Sequence, residues 1–313
     1  MSNSTTDIEL AAHALASGKL VAFPTETVYG LGADATSPEA VARIYEVKGR
    51  PLDHPLIVHI PAADFLKRWA KDVPDYAWKL ADSFWPGPMT LILKRTELAK
   101  DFITGSQDSV GVRVPLHPVA QELLVRFAEL GGLGVAAPSA NKFGRVSTTS
   151  SLAVTEDLSG FLQEGDLILE GADSDIGIES TIIDCTGLSP VILRPGAITA
   201  EMISRVTGLD VSEAGSKVRA SGSMEKHYSP LAKVVLDQVP TAGDGLIALS
   251  DFATPPGVIR LCEPRTVEEY ASALYSSLRL ADQLKLARVV AISPAGDGLA
   301  LAIRNRLIKA SAE

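Results

Sequence analysis

The segment from Leu20 to His59 places the tightest limits on what this chain can become. An apolar run, Leu20 to Phe23, is cut off by Pro24, which cannot donate a ladder hydrogen bond, so a strand is expected to end there. The next three residues, Thr25, Glu26 and Thr27, are polar and stand at that strand's carboxyl end, where ligands bind in open α/β sheets. Tyr29-Gly30-Leu31-Gly32 lets backbone come close to another group. Ser37 suits a helix N-cap and Pro38 the first helical position, while Val41, Ile44 and Tyr45 recur at helical spacing. Gly49 and Pro51 stop that helix.

Lys48 and Arg50 flank the stop, and if the segment is extended both point to one side. A helix end needs a glycine and a proline but not two cations. They read either as a clamp for a polyphosphate, with Arg as a fork and Lys as a point charge, or as cations complementing the helix dipole.

The 313 residues suffice for two domains, and 46% hydrophobic content suffices for their cores. A net charge of −9 argues against a broad nucleic-acid-gripping surface while leaving room for a local basic pocket. Cys185 and Cys262 are far apart, without metal-type spacing, and are expected to be reduced and buried. The polar, acidic N-terminus and the lack of a long uncharged apolar run predict neither a signal peptide nor a membrane span, hence a cytoplasmic protein.

Helices are expected over Ile8 to Ala16, Asp64 to Ala70, Asp75 to Phe84, Val119 to Leu130 and Glu201 to Val206. Strands are expected over Leu56 to Ile60, Thr90 to Leu93, Val110 to Val114, Gly134 to Ala137, Leu167 to Leu169, Thr181 to Asp184 and Val191 to Arg194. In the first of these, Leu56, Val58 and Ile60 share one face, and Ile57 and His59 the other. Trp85-Pro86-Gly87-Pro88 is a rigid turn. Pro138 to Thr149, rich in small and hydroxyl residues, can bring backbone N–H groups against phosphates, although ordinary loops look similar. Thr207 to Leu231 is rich in Gly and Ser and reads as a linker ending in Lys226-His227-Tyr228-Ser229-Pro230. Beyond it, short apolar strands alternate with helices over Val267 to Ala287 and Leu299 to Ala310, a small α/β unit with a parallel sheet. Asn305 and the cations around it read as a solvated face.

Pro24 to Gly32, followed by Lys48-x-Arg50-Pro51 and Pro55-Leu56-x-Val58-His59, resembles the YrdC/TsaC family of threonylcarbamoyl-AMP synthases. The resemblance implies a fold class of α/β: a twisted mixed-sheet domain over 1–206, a linker or lid over 207–231, and a smaller Rossmann-like domain over 232–313. It implies formation of threonylcarbamoyl-AMP and pyrophosphate from L-threonine, bicarbonate and ATP, with Mg2+ carried on the ATP. The product would feed a tRNA-modifying threonylcarbamoyl transferase, with at most weak contact to tRNA itself. It further implies that Thr27, His59, Ala137 and Ser180 shape a threonine pocket, with Arg113 on the carboxylate, although an edge-strand surface residue is the plainer reading of Arg113. For ATP it implies Arg50, His54, Ser109, Ser139, Asn141, Ser147, Arg194 and Tyr228, with Lys48 near the phosphates and Lys48 and Arg50 catalytic. His54 stands where Asn is usual and Ser229 where Ala is usual. Other readings are a carbamoyl-transfer domain of the same fold, which lacks support because no Cys-x-x-Cys pair occurs, a double-stranded RNA or tRNA module, which the acidic charge disfavours, and a dinucleotide site at Gly30-x-Gly32-x-x-Ala35.

Overall fold

The computed structural model describes residues 3–212, 215–222 and 227–312. The linker positions Ser223 and Lys226, and the outermost ends of both expected domains, lie outside these.

The first unit contains β1 (Ser4–Thr5), α1 (Ile8–Ala16), β2 (Val21–Phe23), β3 (Gly30–Asp34), α2 (Pro38–Lys48), β4 (Ile57–His59), α3 (Leu66–Trp69) and α4 (Asp75–Phe84). It continues through β5 (Met89–Lys94), α5 (Asp101–Thr104), β6 (Ser109–Arg113), α6 (Pro118–Glu129), β7 (Val135–Ala136), α7 (Ser151–Leu158), β8 (Leu167–Leu169), β9 (Thr181–Asp184), β10 (Val191–Arg194) and α8 (Ala200–Thr207). The second unit holds β11 (Lys233–Leu236), β12 (Gly245–Ile247), β13 (Ile259–Cys262), α9 (Val267–Gln283), β14 (Arg288–Ala291) and α10 (Leu299–Ser311).

The ten strands of the first unit form one mixed sheet in the order β1-β8-β2-β3-β7-β4-β6-β5-β9-β10. The four strands of the second form a parallel sheet in the order β11-β14-β12-β13. Strand alternation sorts the faces of the large sheet. Val58, Leu91, Val112 and Ile183 point into the main apolar core with α2, α3 and α4. On the opposite face His59 and Arg113 are register partners on the parallel strands β4 and β6. Ile92 and Ile182 on that face pack with Ala220 of the linker. The linker therefore covers the Ile92 and Ile182 part of a face whose other part, around Phe23 and Val135, is packed by α1 and α6.

Several local expectations differ from the fold. The Tyr29 to Gly32 stretch belongs to the sheet: Gly30–Asp34 is a strand between β2 and β7 with Gly30 in the cavity wall, which also removes the dinucleotide reading. A Cβ on Gly32 would sit 2.7 Å from Val135 Cγ1 and 2.8 Å from Phe23 Cε1, so the close approach is to neighbouring side chains. Asp64 to Ala70 splits into a 3-10 turn over Ala63–Phe65 followed by α3. The helix α7 was hidden in a Ser/Thr-rich string, and Ser150 starts it by accepting from Ala153 N at 3.2 Å. Cys185 is buried and Cys262 half-buried, and both are free thiols.

Candidate active site

Each cation singled out above stands where a regular element stops. Ser37 caps α2, its oxygen accepting from Ala40 N at 3.2 Å, and Gly49 ends the helix in the left-handed region at φ +66. Gly49 thus breaks the extended run expected between Lys48 and Arg50, yet both side chains line one cavity. Lys48 Nζ donates to the carbonyls of Ser139, at 2.6 Å, and Asn141. Arg50 Nη2 donates to Pro55 O at 2.9 Å and Ser221 Oγ at 3.3 Å. Arg194, at the end of β10, donates to Ser180 O at 3.0 Å, Ser180 Oγ at 3.1 Å and Ser221 O at 3.2 Å.

Arg113 is no edge residue: β6 lies between β4 and β5, and the side chain is 5% exposed. Its fork donates to Thr27 Oγ1 at 2.8 Å and Glu26 Oε1 at 2.7 Å, and its Nε to Gly87 O at 3.2 Å. The Thr25 hydroxyl shapes the turn presenting Thr27, donating to Val28 O at 2.6 Å and accepting from Val28 N at 3.2 Å.

A second carboxylate, Glu179, lies in the same wall. Its Oε1 accepts from Ser147 Oγ at 2.6 Å, and its Oε2 from Tyr275 Oη at 2.8 Å and Arg306 Nε at 2.9 Å. Glu26 and Glu179 thus each neutralise one arginine. Among the described residues no carboxylate pairs with Lys48, Arg50 or Arg194, all of them buried.

Burial dominates the titration of these groups. It holds the Lys48 ammonium well below the ordinary lysine value, with the Arg50 charge adding to the effect. Burial lowers Arg50 to about 10. Burial, then the Arg113 charge, pushes His59 down to about 3, and burial brings His227 to about 3. These imidazoles are neutral throughout the ordinary pH range.

Of the residues implied by the resemblance, Thr27, Lys48, Arg50, His59, Arg113, Ala137, Ser139, Asn141, Ser180, Arg194 and Tyr228 line the cavity. Three do not in this structure. The Ser147 hydroxyl is engaged by Glu179, His54 stands edge-on to Phe143, and Ser109 lies lower on the sheet face with Gln107 and Arg219. The solvated-face reading around Asn305 is corrected: Arg306 is 1% exposed and reaches Glu179 across the domain boundary. Ala302, Ile303, Leu307 and Ala310 form the apolar stripe of α10, and Arg306 falls on it; that position was the available signal. Glu26 and Glu179 carry no local signal of their role, because neither has its arginine nearby in the sequence.

A family model described as telomere recombination, covering Sua5, YciO and YrdC, matches residues 13–196. A second, described as the threonylcarbamoyl-AMP synthase C-terminal domain, matches residues 198–312. The threonylcarbamoyl-AMP synthase of Pyrococcus abyssi is 42% identical, spanning 97% of this chain and 94% of its own. That of Bacillus subtilis is 37% identical over 99% of this chain and 94% of its own. A crystal structure of P. abyssi Sua5 complexed with L-threonine superposes with a TM-score of 0.87 at 38% identity, covering 99% of this chain and 97% of that one. With both parts of the chain matched and these relatives similar along nearly its whole length, the chain belongs to the Sua5/YrdC family of threonylcarbamoyl-AMP synthases and is an enzyme of nucleotidyl transfer.

Proposed function

We propose that this cavity condenses L-threonine, bicarbonate and ATP into threonylcarbamoyl-AMP, with release of pyrophosphate. The observation that carries the reading is the trio Lys48, Arg50 and Arg194, buried in one wall and, among the described residues, in ion-pair contact with no carboxylate. The threonine amine takes up the bicarbonate carbon to give a carbamate and water. A carbamate oxygen then attacks the α-phosphorus, and the bond to the β-phosphate oxygen breaks. Carboxylate, carbamate and triphosphate must share one crevice, so fixed cations and donors matter more than a nucleophile.

In this reading Arg113 meets the threonine carboxylate, with Thr27, His59, Ala137 and Ser180 around the amino acid. Lys48, Arg50, Ser139, Asn141, Arg194 and Tyr228 meet the nucleotide. Arg50 Nε and Asn141 Oδ1 are buried without partners, which suits groups that await a ligand. Mg2+ enters as part of the ATP, since Glu26 and Glu179 are both engaged by arginines and the phosphates are left to carry it. The cavity measures about 60 Å³, and Ser221, Gly222, His227 and Tyr228 of the linker strap form part of its wall. The product is a mixed anhydride suited to a threonylcarbamoyl transferase acting on tRNA. No described helix is long and apolar enough to cross a membrane, and we place the reaction in the cytoplasm.

The test is pyrophosphate release from ATP with each amino acid in turn, with and without bicarbonate. Release that needs both threonine and bicarbonate supports the reading, and release independent of either defeats it.

A further inference from the structure

Among the described residues no strand of the C-terminal unit lines the cavity, yet its two helices bond Glu179 in the cavity wall. Tyr275 of α9 and Arg306 of α10 both bond Glu179 Oε2, and Arg306 Nη1 also donates to Pro195 O at 2.8 Å. Tyr275 stacks on Tyr228 with ring centroids 5.6 Å apart, and the Arg306 guanidinium lies 5.7 Å from the Tyr228 ring centre. Lys309 Nζ donates to Gly222 O, and its carbonyl accepts from His227 N at 3.2 Å. The fit at this boundary is close: a Cβ on Gly177, at φ +73, would stand 2.5 Å from Ser272 Cα. Val28, Val146 and Ile178 share an apolar cluster with Leu274 and Leu278.

We propose that Arg306 and Tyr275 are positioning residues for the nucleotide cavity: they hold Glu179 from behind, and with it the Ser147 hydroxyl and the Tyr228 ring. This rests on the ATP reading above. The C-terminal unit is then part of the catalytic body. Glu179 faces Arg306 of α10, Tyr275 of α9, Arg194 of β10, and Tyr228 and His227 of the strap, with Lys309 nearby. Burial works to raise its pKa, but Arg306, then Arg194 and Ser147, outweigh burial and bring it to about 2. The carboxylate is therefore ionised at working pH and orients its donors as a fixed acceptor.

The discriminating set is the full chain as wild type, Arg306→Met, the double variant Arg306→Met with Glu179→Gln, and Tyr275→Phe. Arg306→Met alone strands a buried charge and lowers the melting temperature. The double variant removes that charge and brings the melting temperature back toward wild type. A positioning role predicts that the double variant keeps a KM for ATP raised about ten- to hundredfold despite its recovered stability. Recovery of wild-type KM and kcat together with stability overturns the proposal. If the double variant does not fold, Tyr275→Phe decides: a rise of about threefold in KM for ATP at unchanged melting temperature upholds the proposal, and an unchanged KM overturns it. Equilibrium binding of a fluorescent ATP analogue is measured on the same proteins. A wild type that binds the analogue but releases no pyrophosphate refutes the reaction, and the variants' binding shifts still decide the positioning role.

Discussion

The two sheets of this protein handle charge in opposite ways. In the C-terminal sheet Leu246, Ile247, Val289, Val290 and Ala291 are fully buried, and Ile247, Val289 and Ala291 pack with α9 and α10. Its titratable side chains Lys233, Arg260 and Arg288 are not among the buried residues. In the ten-stranded sheet one face is equally apolar, but the other carries His59 and Arg113, with Arg194 and Ser180 at strand ends, all buried. The charged part of that face cannot be covered by an ordinary amphipathic helix without stranding charges. The helices α1 and α6 pack on its apolar part around Phe23 and Val135, and the linker packs on Ile92 and Ile182. The difference teaches that chemistry here sits where burial and charge coincide, and that the C-terminal unit takes part through helices rather than strands.

The strongest way to break this comparison is to remove a cation from the charged face. Lys48→Ala or Arg50→Ala should lower pyrophosphate release by about 10²- to 10³-fold while threonine binding stays measurable by calorimetry. Wild-type turnover in both variants would remove the clamp.

Acid stability sharpens the contrast next. His59 and His227 have folded values near 3, so between pH 6.5 and 3 the unfolded chain binds more protons than the native one. Stability is then complete above about pH 6.5 and falls as pH drops, by up to about 1.4 kcal/mol per pH unit for each histidine. Glu179, held at about 2, adds stability that is lost only below the ordinary carboxylate range. Melting temperature should hold from pH 7.5 to about 6.5 and fall from there to pH 5, less so in His227→Asn. A flat profile would contradict neutral buried imidazoles.

A smaller effect is expected at the strap. Gly222 sits at φ +82, and a Cβ there would lie 2.6 Å from the Tyr228 hydroxyl. Gly222→Ala should lower kcat/KM for ATP about tenfold, partly through the left-handed backbone cost of about 1–2 kcal/mol. Unchanged kinetics would show that the strap does not set the ring. The smallest effect belongs to the domain boundary away from the cavity. Arg279 pairs with Asp157 at 2.7 Å and Glu156 at 3.3 Å across that boundary. Arg279→Ala should cost about 1 kcal/mol in urea unfolding and leave pyrophosphate release untouched; a kinetic defect there would mean that any loosening of the boundary disturbs the site.

Much of the architecture was legible because its determinants are local. The Ser37 cap, the Gly49 stop, the period-two alternation of Leu56 to Ile60 and the helical spacing of Val267 to Ala287 each repeat within one or two turns of chain. The parallel C-terminal sheet followed from its strand–helix alternation. The cations Lys48, Arg50, Arg113 and Arg194 were visible because each breaks a pattern at the end of an element. The fate of the Gly30 to Gly32 stretch was not visible, since only the strand order reveals that Val135 and Phe23 crowd Gly32. Arg306 was misread for the same reason. On a sequence it is one more cation near a helix end, and its burial depends on a carboxylate 127 residues away.

The sequence by itself determined most of the strands and helices, that the chain forms two α/β units, and which cations were available to meet anions. Those properties follow from backbone sterics, capping and apolar periodicity, which act over a few residues. Only the tertiary structure decided which cations stand outside any ion pair among the described residues. Glu26 neutralises Arg113 and Glu179 neutralises Arg306, whereas Lys48, Arg50 and Arg194 are left facing one small cavity. Pairing of buried charges is a property of three-dimensional proximity in a low-dielectric interior, and no local pattern encodes it.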